Sequence, residues 1–385
     1  MIPYGRQSIS EEDIKAVVNI LRSDYLTQGT EVPKFEQAVC AHTGSSYAVA
    51  TNSGTSSLHL ACLSLGLGPG DILWTSPITF VATANCAIYC GASIDFVDID
   101  PHTFNMSIAA LEAKLKLAEK TGTLPKVVIP VHLCGLSCDM KSIASLSRQY
   151  GFRIIEDACH AIGGRYKNKS IGSCLYSDIT VFSFHPVKII TTAEGGMAVT
   201  NDKNLADKMA LLRSHGITKD SDKMMQSMDG PWYYQQIELG YNYRMADIQA
   251  ALGISQLNKL DDFVRRRQQI ALRYNQLLIN LPVQAQFHPD MCYSGMHLYV
   301  IRIQTQRIKK THRQVFEEMR AAEIGVNLHY IPIHTQPYYR AMGFKGGDFP
   351  EAERYYTEAI TLPLYPNLKQ EQVDSVVEAL KCALR

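Results

Sequence analysis

The amino-acid sequence predicts an α/β fold, a mostly parallel sheet flanked by helices, followed by a smaller C-terminal α+β unit. Three observations predict it. Between residues 47 and 200, short β-prone runs alternate with helical patterns, the rhythm of βαβ units around a buried sheet. Beyond residue 250 that rhythm stops, and helical stretches, one strand and Gly/Pro-punctuated loops follow. Of 385 residues 46% are apolar and 19% charged, a charged share below the usual ~25% and in keeping with a large core. We expect a large domain over residues 1–250 and a small one over 251–385.

The elements follow in order. Ser10 and Asp13 have the spacing of a capping box, ahead of Ile14, Val17, Val18 and Leu21 at i, i+3, i+4 and i+7. The loop-like Asp24-Tyr25-Leu26-Thr27-Gln28-Gly29 leads to a second amphipathic helix carrying Phe35 and Val39. Tyr47–Thr51 is the first strand, with a helix over Thr55–Leu65 behind it. Strand Ile72–Thr75 precedes helix Phe80–Tyr89, and strand Ile94–Val97 precedes a helix near 107–118. Strand Val127–Val131 precedes helix Met140–Tyr150, and Arg153–Glu156, Ile179–Phe184 and Met197–Thr200 supply three more β-rich runs. Residues 218–236 are polar, Met-rich and aperiodic, an exposed excursion. One long helical stretch, Ile248–Leu278, then strand His297–Ile303 and a helix near 312–322 complete the reading.

With 38 Lys+Arg against 37 Asp+Glu, the net charge of +1 argues against nucleic acid as a partner, which needs clustered excess cations. No apolar run reaches the ~18–20 residues of a membrane span, and the Met1-Ile2-Pro3-Tyr4-Gly5-Arg6 start lacks an apolar region of signal-peptide type. The ten cysteines are too sparse for a disulfide scaffold, and Cys134 and Cys138 lack the spacing and the second pair of a metal site. We expect a reduced, cytoplasmic protein with no membrane partner and no metal.

Gly66, Gly68 and Gly70 follow a helix and precede a strand, the reverse of a dinucleotide fingerprint, and read as a helix end and turn. Asn52-Ser53-Gly54-Thr55-Ser56-Ser57 lies between a strand and a helix, where open α/β sheets bind ligands. Its glycine, hydroxyls and free N–H groups suit a phosphate, and equally an ordinary N-cap. Asp157 closes a later strand as either a turn cap or a partner for a positive ring nitrogen. His160 either donates to a phenolate-like oxygen or is a satisfied semi-buried histidine. Lys188 follows Ser183-Phe184-His185-Pro186-Val187, and either snorkels to water or is desolvated and nucleophilic. Together, a phosphate-type helix start, an acid at one strand end and a lysine beyond another are what pyridoxal phosphate requires.

These segments resemble the fold-type I, pyridoxal-phosphate-dependent sugar aminotransferases of the DegT/DnrJ/EryC1/StrS family. The resemblance rests on Leu26–Gly29, Asn52–Leu60, Thr79–Asn85, Glu156–Ala161, Ser183–Lys188, Thr192–Gly196 and Gly240–Met245, in the family's order across nearly the whole chain. Leu26–Gly29, Thr191–Gly196 and His329–His334 most resemble the branch that aminates a UDP-4-keto-6-deoxy-hexosamine for pseudaminic acid. The resemblance implies pyridoxal 5'-phosphate as cofactor, bonded to Lys188, which then shuttles the proton. It implies Asp157 on the ring nitrogen, His160 on the phenolic oxygen and Phe80 on the ring face. Gly54, Thr55, Ser56 and Ser183 would hold the phosphate, joined by Asn242 from the neighbouring subunit of a homodimer. Tyr4, the Asp24-Tyr25-Leu26-Thr27 loop within residues 1–30, and His329-Tyr330 would contact the sugar nucleotide. A UDP-sugar and L-glutamate are the implied substrates. A sugar dehydratase on the same fold has His where Lys188 stands, and a noncatalytic sensor has no need of Lys188, Asp157 and Ser183 together.

Overall fold

The computed structural model describes residues 1–385. A seven-stranded sheet forms its centre, built from β1 (Tyr47–Thr51), β2 (Ile72–Thr75), β3 (Ser93–Phe96), β4 (Val127–Ile129), β5 (Arg153–Asp157), β6 (Ile179–Ser183) and β7 (Gly196–Thr200) in the order β1-β7-β6-β5-β4-β2-β3. Only β7 runs against the others, pairing antiparallel with both β1 and β6. The expected mostly parallel sheet is therefore present.

Its strands are apolar on both faces because successive residues point opposite ways. Leu73, Val127, Ile155, Val181 and Ala198 join one buried cluster. Their neighbours Trp74, Val128 and Ile154 join a second, and Phe182 and Met197 a third. Helices α1 (Glu11–Leu21), α2 (Glu31–Thr43), α3 (Gly54–Ser64), α4 (Ala82–Tyr89), α5 (Ile108–Thr121) and α6 (Met140–Tyr150) fall between or beside the strands, close to the expected spans, and a further helix α7 (Lys203–Arg213), not among the expected ones, follows β7. No helix is long and apolar enough to cross a membrane.

The stretch Ile248–Leu278 is two helices, not one: α8 (Asp247–Leu257) and α9 (Leu260–Leu278). The break at Asn258-Lys259 lets Lys259 reach the Asp13 carboxylate, which also accepts from Ser255 Oγ at 2.6 Å and Gln256 Nε2 at 2.8 Å. Asp13 thus caps α1 through Ser10 and also fastens α1 to α8. After α9, an antiparallel sheet of Val283–Ala285, Tyr299–Ile303 and Ala359–Leu362 packs with helices His312–Ala321 and Gln370–Leu384 around its own core. Residues 218–236 are largely exposed between the short paired strands Ile217–Thr218 and Gln235–Gln236.

The buried pair Glu156–His132, 2.7 Å apart, lies next to Asp157 in β5. Burial pushes the Glu156 carboxyl up, but His132, Ser177 and Thr180 outweigh it and hold it below the ordinary value. With the folded-state pKa depressed, its stabilisation is complete above the unfolded pKa and is lost as pH falls through the folded one. Glu156→Gln is expected to cost about 1–3 kcal/mol at neutral pH and to weaken the acid sensitivity of folding. Urea midpoints at neutral and acidic pH check this, and identical pH dependence in both proteins would contradict it.

Candidate active site

Parallel strands deliver their carboxyl ends to one edge of the sheet, where ligands bind in open α/β folds. Here β1 delivers the Asn52–Gly54 loop, β2 the Thr79-Phe80 turn, β5 Asp157 and β6 the Ser183–Lys188 segment. Reversed β7 begins at the same edge, with Gly196 opposite Thr51 and Ser183.

The β1 loop opens α3. Ser53 is the N-cap in extended conformation, and its Oγ accepts from the Ser56 N–H at 3.2 Å. Ser56 Oγ donates to Asn52 Oδ1 at 2.7 Å, while the first-turn N–H groups of Gly54 and Thr55 have no partner within the helix. The N-cap reading is thus correct, and it leaves the phosphate reading open, since capping uses only part of the helix start. A Cβ on Gly54 would lie 3.0 Å from Ser183 Cβ, 3.3 Å from Ser183 Oγ and 3.5 Å from Cys159 Sγ. A Cβ on Gly196 would overlap the Ser53 carbonyl and come within 2.7 Å of Gly54 N. Both glycines permit β1, β5, β6 and β7 to converge on this loop.

Asp157 is buried, and its Oδ2 accepts from Thr83 Oγ1 at 2.7 Å, with Thr83 in turn 2.8 Å from Thr79 Oγ1. Oδ1 accepts from the Cys159 N–H at 3.1 Å. Lys188 is half-buried, its N–H donating to His185 O at 2.9 Å. Burial pushes the Lys188 ammonium down from its ordinary pKa, against the opposing pull of nearby Cys159 and Asp157. An amine so placed becomes neutral, and nucleophilic, at lower pH than an exposed lysine.

His160 is also buried and is kept neutral by burial first, then by the Lys188 charge and His329. Its Nε2 lies 3.0 Å from the Tyr330 hydroxyl, and its ring packs 4.4 Å from that of His297. Phe80 is exposed, its ring 6.3 Å from the Tyr330 ring. Tyr4 joins the same cluster because the N-terminal segment pairs with the C-terminal half: Gly325 N donates to Ile2 O and Leu364 N to Tyr4 O. That pairing sets the Tyr4 ring 5.4 Å from His329, whose Nδ1 is 2.8 Å from Thr361 Oγ1.

Two expected groups lie on exposed segments of this chain. Asp24, Tyr25, Leu26 and Thr27 are exposed on a loop fastened to the start of α8, where Asp247 N donates to Leu26 O and Thr27 bridges Ala246. Asn242 is exposed, and its carbonyl accepts from Asn52 Nδ2 at 3.4 Å.

The profile of the DegT/DnrJ/EryC1/StrS aminotransferase family matches residues 7–381. The chain belongs to that family. It is 40% identical over 383 residues to the spore coat polysaccharide biosynthesis protein SpsC of Bacillus subtilis, covering 99% of this chain and 96% of that one. Among solved structures it is similar to Helicobacter pylori PseC, an aminotransferase of pseudaminic acid biosynthesis, at 31% identity and TM-score 0.90, covering 100% of this chain and 99% of the other. It is also similar to the putative sugar aminotransferase Spr1654 of Streptococcus pneumoniae in its PMP form, at 30% identity and TM-score 0.90 with coverage of 100% and 99%. The same streptococcal protein is known in a PLP form. The family member described here is a pyridoxal-phosphate-dependent transaminase.

Its residues fit that cofactor. Only a glycine at 54 lets the Ser183 side chain come this close, which brings its hydroxyl to a helix start with free N–H groups. A buried carboxylate is braced by two donors, an amine with lowered pKa lies within its electrostatic reach, and His160 Nδ1 is buried with no protein partner. Sequence reasoning missed Thr83, the brace on Asp157, and His297, the wall behind His160. Thr83 left one signal, a hydroxyl one helical turn beyond Thr79 after the end of β2. His297 left none.

Proposed function

We propose that this enzyme transfers the amino group of L-glutamate to C4 of a UDP-linked 4-keto-6-deoxy-N-acetylhexosamine. The product would be UDP-4-amino-4,6-dideoxy-N-acetyl-β-L-altrosamine, for pseudaminic acid biosynthesis. The observation that carries the transaminase part is the meeting of Lys188 with Asp157 at the edge that also holds the Gly54–Ser56 helix start.

When bound, pyridoxal phosphate supplies an aldehyde carbon that amines attach to and a pyridinium ring that withdraws electrons. Lys188 would be the amine that holds it. Its Nζ would hold and return a proton, and burial, by lowering the ammonium's pKa, lets that amine give the proton up more readily than an exposed lysine does. Asp157 would hold the ring nitrogen, and Thr83 and Cys159 fix the plane of its carboxylate. Gly54, Thr55, Ser56 and Ser183 would hold the phosphate, with Asn242 from the neighbouring subunit of a homodimer completing that shell, and Phe80 would cover a ring face. Tyr4, His329 and Tyr330 line the sugar side, and the Asp24–Thr27 loop contributes to a substrate site.

The sugar assignment is supported by the Leu26–Gly29, Thr191–Gly196 and His329–His334 segments and by the likeness to PseC. The 40% identity to a spore coat polysaccharide protein, against 31% to PseC, favours a second reading, another 4-keto nucleotide sugar. Glutamate should be offered with UDP-4-keto-6-deoxy-L-arabino-hexosamine and with its D-xylo isomer separately, and the products read by NMR. Amination of the L-arabino sugar is expected, and preference for the D-xylo sugar would overturn the pseudaminic assignment while sparing the transaminase.

A further inference from the structure

We infer that Tyr330 is a positioning residue that fixes the tautomer of His160, so that the hydrogen bond offered to the cofactor's phenolic oxygen comes from Nδ1–H. This rests on the pyridoxal-phosphate reading and adds a role for Tyr330 beyond lining the sugar side.

The argument is one of elimination around a buried imidazole. His160 has two ring nitrogens, and one of them, Nε2, is 3.0 Å from the Tyr330 hydroxyl. A neutral imidazole carries one N–H and one lone pair, and the hydrogen bond made by one nitrogen sets the state of the other. A phenol is a better donor than acceptor, and an unprotonated imidazole nitrogen is a strong acceptor. Burial keeps the Tyr330 proton in place by pushing its pKa well up. Tyr330 O–H therefore donates to Nε2. His160 stays neutral because burial, Lys188 and His329 all oppose a second proton, so its one proton sits on Nδ1.

That Nδ1–H is buried and has no acceptor in the protein. Buried polar groups almost always have partners, so an orphaned donor at an active site calls for a ligand acceptor. The adjacent ring does not supply one. His297 packs against His160 at 51° with centroids 4.4 Å apart, and its own Nδ1 is equally without a partner. His297 acts as a rigid wall, since its N–H donates to Cys134 O at 2.9 Å and its carbonyl accepts from Arg267 Nη1 at 3.1 Å. With the Tyr330 ring 26° from parallel on another side, His160 is confined to one orientation. The acceptor that suits a fixed neutral N–H donor beside Lys188 is an oxyanion on the cofactor ring.

The test begins with cofactor-free protein labelled with ¹⁵N in histidine. Multiple-bond ¹H–¹⁵N NMR should place the His160 proton on Nδ1, with Nε2 unprotonated. In Tyr330→Phe, which keeps the ring packing, the two nitrogens should move towards an averaged signal as both tautomers become populated. In the loaded enzyme the same change should shift the pH midpoint of the yellow chromophore upwards, because a donor to the phenolic oxygen is partly lost. A wild-type proton on Nε2, unchanged tautomers in the variant, or an unchanged chromophore midpoint would each overturn the inference. Failure of the cofactor reading is distinguishable, since no yellow chromophore would then form on either protein.

Discussion

Lys188→Arg is expected to abolish transamination while leaving the fold intact. Arginine keeps the positive charge, but its guanidinium does not give up a proton in proteins, so it neither bonds the cofactor aldehyde nor acts as a base. Loss of acid–base catalysis alone costs about 10²–10⁴ in rate, and loss of the covalent attachment adds to it. The backbone of residue 188 is held by the His185 carbonyl, a bond that the substitution leaves in place. Steady-state kinetics with glutamate, paired with a thermal melt, checks the prediction. Turnover within a few-fold of wild type would contradict the assigned role.

Asp157→Asn is the second large effect. Asparagine keeps the shape of the side chain but carries no charge to hold a proton on the ring nitrogen. It also has a single acceptor oxygen where the carboxylate uses two, one for the Thr83 hydroxyl at 2.7 Å and one for the Cys159 N–H at 3.1 Å. Removing a preorganised electrostatic group of this kind lowers kcat on the order of 10²–10³. Single-turnover measurement of the glutamate half-reaction isolates that loss from sugar binding. An unchanged half-reaction rate would remove Asp157 from the ring nitrogen.

The fold was legible where information is local. The Ser10–Asp13 capping box, the alternating strands and the glycine turn after α3 depend on residues a few positions apart, and each is present. Gly66 ends α3 at φ 73°, as a helix terminus and not a phosphate loop. What escaped depends on distant partners. Asp13 reads as a cap, yet it is fully buried by Ser255, Gln256 and Lys259, more than 240 positions away. The same contact explains why one helical stretch is two helices. In the C-terminal part, Val283–Ala285 is too short to show alternation, and Ala359–Leu362 follows helix Pro350–Glu358 with no Gly or Pro between them.

The site divides along the same line. Lys188, Asp157 and the Asn52–Ser57 turn stand out because each follows a strand. Composition alone favours a snorkelling lysine, and only the fold places Asp157 and Cys159 beside it. His297 reaches His160 from 137 positions away (297 − 160), through the Cys134 carbonyl and the buried Arg267, and nothing local marks it.

The most direct measurement is borohydride reduction of the protein saturated with pyridoxal phosphate, followed by peptide mass mapping. A single pyridoxyl adduct on Lys188, with loss of the yellow absorbance, is the result expected. A protein that never turns yellow, or an adduct confined to any other lysine, would contradict the account.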